Sequence, residues 1–377
     1  MEDRARLIWD APSRCADLQY ATSLWASDPV IWVEWKGETY LLVRDLEVER
    51  AQKEARVGRV VPLSGYDAAP ELDAGVPRSV RAPVAFLVRS GIRSVEVHPE
   101  TPVWLVEALR TSPLSVGIGT TPFFPARSRK SEREIAAIAE AEAAAERAVG
   151  LIEQMLWDAR RAEGRLTLGG EPLTSERVRR EVEVVLFADG FHMERTIVSS
   201  GRASAIPHDH GSGPLLANVP IVVDVFPRSV ATGYFGDLTR TFVKGTATAG
   251  VIKMYDAVRA AHAAALERMR PGVPLRDVHA AAVAVFEARG FANRVEPGRA
   301  EGFIHGTGHG VGLEIHEPPT LARVEGDACL EVGNVVTVEP GLYYHDEGGV
   351  RLEDLVVITA DGSKLLSTLP RDLVIIP

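Results

Sequence analysis

The sequence predicts an α/β (α+β) protein with a small N-terminal α/β domain and a larger C-terminal domain built from two similar halves. Three observations carry this. Strand-like and helix-like segments alternate over residues 1–122. Residues 123–377 run twice through the order helix, helix, strand pair. Each repeat ends in strands that bear two carboxylates.

In the first domain, VIWVEW and TYLLV flank Lys36-Gly37, which reads as a hairpin turn. A helix is predicted around residues 45–55. The apolar runs VGRVVPL, SVEVH and SVGIG read as strands, with WLVEALR as a helix between the last two. This domain is expected to hold no titratable cluster of its own.

The linker GTTPFFPARSRK leads into a long helix. Ser131 and Glu134 form a capping box at its start. Ile135, Ile138, Ala141, Ala145, Ala148, Ile152 and Met155 recur at helical spacing and mark its buried face. A second helix spans about 174–189 and stops at Gly190. Two more cover about 248–270 and 275–289, stopped by Pro271-Gly272 and by Gly290. The ADGF that closes the helix at 188–191 returns as ARGF at 288–291, an internal echo that suggests duplication.

Composition narrows the function. Hydrophobic residues at 46% and charged residues at 25% are ordinary for a globular chain and exclude a disordered, collagen-like or coiled-coil protein. No apolar run approaches the ~18–20 residues of a membrane span. A net charge of −10 offers nothing to recruit nucleic acid or anionic lipid. Cys15 and Cys329 make no CxxC pair, and MEDRARLIWD is charged where a signal peptide would be apolar. Both features predict a cytoplasmic protein without a disulfide framework.

The chemistry is written in the strands. Asp224 interrupts the β-branched run of VPIVVDVFPR, although Asp is a poor strand former and a lone buried carboxylate costs several kcal/mol unless paired or metal-bound. Asp237 starts the returning strand in GYFGDLTRTF. The oddity repeats with Glu339 in NVVTVEPGLYY and Glu353 in GGVRLEDLVVIT. Asp224 and Glu339 are 115 residues apart, Asp237 and Glu353 are 116 apart. A single carboxylate of this kind is ordinarily an edge residue or the partner of an arginine, here Arg240 or Arg351. Four in matching register would repel and be forced to protonate unless cations joined them. Two divalent metals would balance them.

Between the strand pairs, GFIHGTGHGVGLEIHEPP supplies His305, His309 and His316. Its glycines let the backbone approach closely. Oxygen ligands with imidazole point to Mn, Co, Fe or Zn. His208, in SAIPHDHGSG, lies in the matching loop of the first half and by itself reads equally well as a solvated loop residue. No GxSxG elbow is present, and neither cysteine has the setting of a nucleophile.

The motifs DVFPRSVATGYFGDLTRTF, HGTGHGVGLEIHE, VTVEPGLYY and VRLED resemble those of the pita-bread metallopeptidases, within them the Xaa-Pro aminopeptidase and prolidase branch. The resemblance implies that Asp224, Asp237, His309, Glu339 and Glu353 hold two divalent ions, manganese first and cobalt, zinc or iron as alternatives, with Asp237 and Glu353 bridging. It implies substrate-side roles for His208, His305 and His316, support of the ligands by Arg351, a peptide substrate and a homodimer. One departure stands out: 13 residues separate Asp224 from Asp237, two more than the commoner pattern. Two extra residues within PRSVATG preserve strand alternation and so lengthen the turn without moving either Asp.

The implied activity is hydrolysis of the Xaa-Pro bond at the N-terminus of peptides by a water activated between the two ions, with Glu339 as proton acceptor. The sequence leans toward an aminopeptidase of longer peptides over a prolidase restricted to dipeptides, because residues 1–122 show no obvious fixed cation for a substrate carboxylate. Three alternatives remain: a methionine aminopeptidase, which shares the five ligands but usually lacks the N-terminal domain; a creatinase-type C–N hydrolase, which works without metal and would not retain all five ligands; and an inactive peptide-binding relative, which would normally have lost ligands too.

Overall fold

Lys36 and Gly37 take positive φ, 53° and 80°, and reverse the chain between the strands Val30–Trp35 and Glu38–Val43. They do so in a computed structural model that describes residues 4–323 and 326–377. The hairpin belongs to the first of two units, Met1–Arg127 and Ser128–Pro377. Its six-stranded sheet runs in the order Arg59–Pro62, Glu38–Val43, Val30–Trp35, Ala5–Asp10, Ser94–Val97, Ser115–Ile118. The helices are α1 (Ala16–Thr22), α2 (Val48–Glu54), α3 (Arg78–Arg89) and α4 (Val103–Arg110).

Three of these elements are absent from the sequence reading. Ala5–Asp10 sits inside the sheet, paired antiparallel to Val30–Trp35 and parallel to Ser94–Val97. Its charged residues Arg6 and Asp10 hide the strand, yet Leu7 and Ile8 are fully buried. Helix α3 carries Pro83 in its interior, where the missing N–H forfeits a backbone bond. Burial of Val80, Val84, Phe86 and Leu87 outweighs that loss. α1 is the third.

This unit also holds a titratable cluster that was not expected. Asp17 on α1 lies 2.9 Å from His98 Nε2 and 2.7 Å from Arg127 Nη1, all three shielded from solvent. Burial alone would raise the Asp17 carboxyl, but hydrogen bonds from His98 and Arg127 hold it below its usual value.

In the second unit, α5 (Glu132–Asp158) opens with the reciprocal Ser131–Glu134 bonds of a capping box and buries Ile138, Ala141, Ala145, Ala148 and Ile152. Helix α6 spans Ser175–Ala188, α7 Ala249–Leu266 and α8 Leu275–Ala288. α7 is shorter than expected, because the chain after Leu266 tightens into 3₁₀-type bonds (Arg268 N–H to Ala265 O, Met269 N–H to Leu266 O) before Pro271-Gly272. Gly190 and Gly290 end α6 and α8 with φ of 84° and 79°, the same device in each half.

Each helix pair serves one sheet. The first sheet orders Ile197–Ser200, Pro220–Val225, Leu238–Lys244 and Val374–Ile376. The second orders Glu317–Leu321, Gly308–Gly310, Val335–Val338, Asp354–Thr359 and Gly362–Leu365. The Glu353 N–H reaches Thr239 O at 3.2 Å, and Thr241 Oγ1 exchanges bonds with the Arg351 backbone. These contacts bring the inner edges of the two halves together.

Candidate metal centre and active site

The halves meet where the unusual carboxylates lie. Asp224 is inside Pro220–Val225, opposite Thr239, in a register that continues without a shift to Val225↔Leu238. Asp237 immediately precedes Leu238–Lys244. Glu339 immediately follows Val335–Val338, and Glu353 immediately precedes Asp354–Thr359. His309 stands in Gly308–Gly310, where the chain presses so close to its neighbour that a Cβ on Gly308 would lie 1.9 Å from Thr337 O.

Asp237, His309 and Glu353 each offer a ligand atom within 4.8 Å of the other two. His309 Nε2 is 3.7 Å from Asp237 Oδ2 and 3.6 Å from Glu339 Oε1. The other ring nitrogen, Nδ1, is 3.1 Å from Gly310 O and donates to it. That bond leaves Nε2 unprotonated toward the carboxylates, the tautomer a metal ligand needs.

Electrostatics set this cluster apart. Burial, then Glu353, Asp224 and Glu339, push the Asp237 carboxyl well above its usual range. Burial, Glu339 and Asp224 do the same to Glu353. Glu339 is pushed up to about 8 by burial, with Asp224 adding to it and Arg351 opposing. Burial and His316 depress His309 to about 4, which keeps its imidazole neutral. Asp224 Oδ1 is buried with no hydrogen-bond partner. Crowded carboxylates, a neutral imidazole and an orphaned carboxylate oxygen fit divalent cations in both donor type and charge.

Arg351 braces the cluster. Its Nη2 donates to Asp224 Oδ2 at 2.6 Å and its Nε to Thr239 Oγ1 at 3.1 Å, and Thr239 in turn donates to Glu353 Oε2 at 2.7 Å. Arg240, the other arginine considered as a carboxylate partner, faces away. It pairs with Asp354 at 2.8 Å and donates to the carbonyls of Glu353, Leu369 and Pro370.

The histidines differ in how free they are. His316 packs edge-on against His309, ring centroids 4.3 Å apart, and is exposed to solvent. Desolvation, followed by His208, lowers its pKa. His305 has both nitrogens engaged: Nδ1 donates to Gly306 O at 2.7 Å and Nε2 accepts from Tyr343 OH at 2.9 Å. Burial and Arg351 push it down to about 3, so it is a neutral, held ring. Tyr343, which also accepts from Arg351 Nη1 at 2.9 Å, was missed in the sequence although it lies inside the quoted VTVEPGLYY motif. Also missed were Glu142, whose Oε2 accepts from the Asp237 N–H, and the buried Lys130–Glu317 pair at 2.6 Å beside His316. Only a charged residue within an apolar helix face, as at Glu142, signalled any of these.

The turn between Asp224 and Asp237 leaves the 224–239 register intact and folds back on the protein. Arg228–Ser229 pairs with Phe191–His192, Phe235 N–H donates to Gly312 O at 2.9 Å, and Tyr234 OH donates to Glu134 at 2.8 Å. The turn is thus tied to the glycine-rich loop that carries His309 and His316.

A duplicated α/β unit that converges four carboxylates and an imidazole at its centre defines the class of metal-dependent hydrolases. Metallopeptidase family M24 matches residues 124–360, and the chain belongs to that family. It is 32% identical over 298 residues to the probable dipeptidase PepE of Mycobacterium tuberculosis, covering 78% of this chain and 71% of that protein. It is 29% identical over 339 residues to an Xaa-Pro dipeptidase of Pyrococcus horikoshii, covering 89% and 85%. The crystal structure of the prolidase from Pyrococcus horikoshii OT3 superposes with a TM-score of 0.79 at 26% identity over 98% of this chain and 95% of that one. The chain is therefore a peptide hydrolase of a family that works with divalent metal ions. Among the described residues no helix is long and apolar enough to cross a membrane.

Proposed function

We propose that the protein is an Xaa-Pro exopeptidase with a dinuclear site held by Asp224, Asp237, His309, Glu339 and Glu353. The observation that carries this reading is the gathering of Asp237, Glu339 and Glu353 around His309 Nε2, with Asp224 beside them on Arg351. The ions, manganese in this reading, supply Lewis-acid polarisation of the carbonyl and a water of lowered pKa when bound. Glu339 is the proton acceptor in this reading, because its carboxylate faces the cluster, 3.6 Å from His309 Nε2. His316, exposed beside His309, supports the developing oxyanion or the leaving nitrogen. His208 shares that edge of the site. Tyr343 and Arg351 hold His305 rigid, so that ring shapes the pocket rather than moving a proton.

The bond N-terminal to proline has a tertiary nitrogen without N–H, so selection must come from the shape of the pyrrolidine ring. The relatives named as an Xaa-Pro dipeptidase and a prolidase support that substrate class. Their names favour a dipeptide substrate as a second reading beside the aminopeptidase. The resemblance also supports a homodimer, which sedimentation would check. Mn²⁺-dependent cleavage of a panel of Met-Xaa, Xaa-Pro and Xaa-Pro-Xaa-Xaa peptides tests the proposal. Cleavage of Xaa-Pro bonds that disappears on chelation is expected. Hydrolysis of Met-Xaa alone, or metal-independent turnover, overturns it. The ratio of kcat/KM for Xaa-Pro to that for the tetrapeptide separates the two readings.

A further inference from the structure

Glu142 sits on the buried face of α5 next to Ala141, with no exposure to solvent. A carboxyl group in that position costs several kcal/mol unless it is bonded. Its bonds lead directly to the metal centre. Oε2 accepts the backbone N–H of Asp237 at 2.9 Å, and Oε1 accepts the Ser367 hydroxyl at 2.6 Å. Ser367 Oγ in turn accepts the N–H of Leu355 at 2.9 Å. Asp237 precedes its strand, whose ladder begins at Leu238↔Val225, so no strand partner serves its N–H. A buried N–H without a partner is costly, and Glu142 removes that cost.

The chain before Asp237 is fixed against the same turn of the helix. A Cβ on Gly236 would lie 2.5 Å from both Ala141 C and Glu142 N, so only glycine fits there. Through Ser367 and Leu355, Glu142 also reaches the strand that Glu353 leads into. One buried side chain thereby ties together the segments carrying the two carboxylates assigned to both ions.

We infer that Glu142 is a positioning residue for the metal centre, holding the Asp237 backbone so that its carboxylate is presented in a fixed place. The inference rests on the reading of Asp237 as a metal ligand. The bond to Asp237 survives in either protonation state of Glu142, because Oε2 accepts in both. A carboxamide can do the same, its oxygen facing Asp237 and its NH₂ donating to Ser367.

The test is calorimetric titration of Mn²⁺ into the metal-stripped full chain, with thermal unfolding recorded for each variant. E142L, which keeps the bulk and loses the acceptor, is expected to weaken Mn²⁺ binding about 10–100-fold, the usual effect of removing a partner behind a ligand. E142Q is expected to recover most of that loss. Wild-type affinity in a folded E142L, with only thermal stability lowered, overturns the inference, since that is what a purely structural role gives. Equal impairment of E142Q and E142L also overturns it, because charge and not the bond to Asp237 would then be at work. If E142L does not fold, E142M, which likewise keeps the bulk and removes the carboxyl acceptor, decides: weaker Mn²⁺ binding supports the inference and unchanged binding overturns it. A wild-type chain that binds no Mn²⁺ removes the site reading as well, whereas wild-type binding with an unaffected E142L removes this inference alone.

Discussion

Glu353 and Asp354 are neighbours in the chain, both buried, and their proton affinities are driven in opposite directions. Glu353 faces the cluster of carboxylates, and burial together with Glu339 and Asp224 raises its pKa well above the usual value. Asp354 faces the rear, where Arg240, His262 at 3.2 Å and Arg371 surround it. Burial would raise Asp354 too, but His262, Arg240 and Arg371 hold it down to about 2. The Asp17–His98–Arg127 cluster of the first unit follows the rear pattern. At Asp17 and Asp354 the buried carboxylate is met by cations of the protein's own. At the front the protein gathers four carboxylates with Arg351 as the guanidinium among them in the described residues, an imbalance that supports the proposed metal site.

The comparison breaks most visibly if the front is not a metal site. Asp237→Ala and Glu353→Ala are each expected to abolish peptidase activity and to lower bound metal, measured by elemental analysis of purified protein. Full activity of Asp237→Ala at unchanged stoichiometry would remove the assignment. His316→Ala tests the boundary of the ligand set. Acid–base and oxyanion contributions are worth about 10²–10³-fold, so kcat should fall by that much while metal content stays at the wild-type level. Metal loss in this variant would move His316 among the ligands.

The rear is tested through stability. Asp354→Ala leaves the Arg240 guanidinium and its neighbours buried without their carboxylate, and breaking a buried pair in this way costs about 3–5 kcal/mol. Urea unfolding should register that loss. Stability within 1 kcal/mol of wild type, allowing about that much for an exposed pair, would mean the rear cluster is no better than a surface one.

Much of this was legible in the sequence, and the reason is physical. Asp224 in an otherwise apolar strand, and its echo at Glu339, stand out because buried charge contradicts local pattern. The Ser131–Glu134 box and the Gly190 and Gly290 stops are local chemistry, readable within a turn of helix. What stayed hidden depends on distant partners. Asp17 and His98 are 81 residues apart and Glu142 and Ser367 are 225 apart, and nothing in either segment announces the other. Ala5–Asp10 and α3 were obscured because their charged residues and Pro83 imitate loop sequence, while tertiary burial decides their conformation. Arg351 and Arg240 were indistinguishable as partners, because strand alternation alone does not say which face is which.

The smallest expected effect is also the most direct reading of front against rear, and it lies in the pH dependence of the metal-stripped protein. Glu339 is raised from 4.5 to about 8, so the folded chain binds its proton more tightly than the unfolded chain does. Between those values the unfolded state holds fewer protons, and stability must fall as pH rises. Asp237 and Glu353, raised as well, act in the same direction. Asp354 is lowered from 3.8 to about 2, so its contribution is present above the unfolded value and is lost as pH falls through that range. The stripped protein should therefore be most stable near the crossover of these two windows and should weaken steadily toward pH 8. Loading with Mn²⁺ offsets the front charges and should flatten the alkaline decline while leaving the acid limb unchanged. Thermal unfolding from pH 3 to 8, with and without metal, measures both limbs at once. A stripped protein whose melting temperature holds level or climbs between pH 5 and 8 would show that the front carboxylates do not crowd one another, and the contrast with Asp354 would lose its meaning.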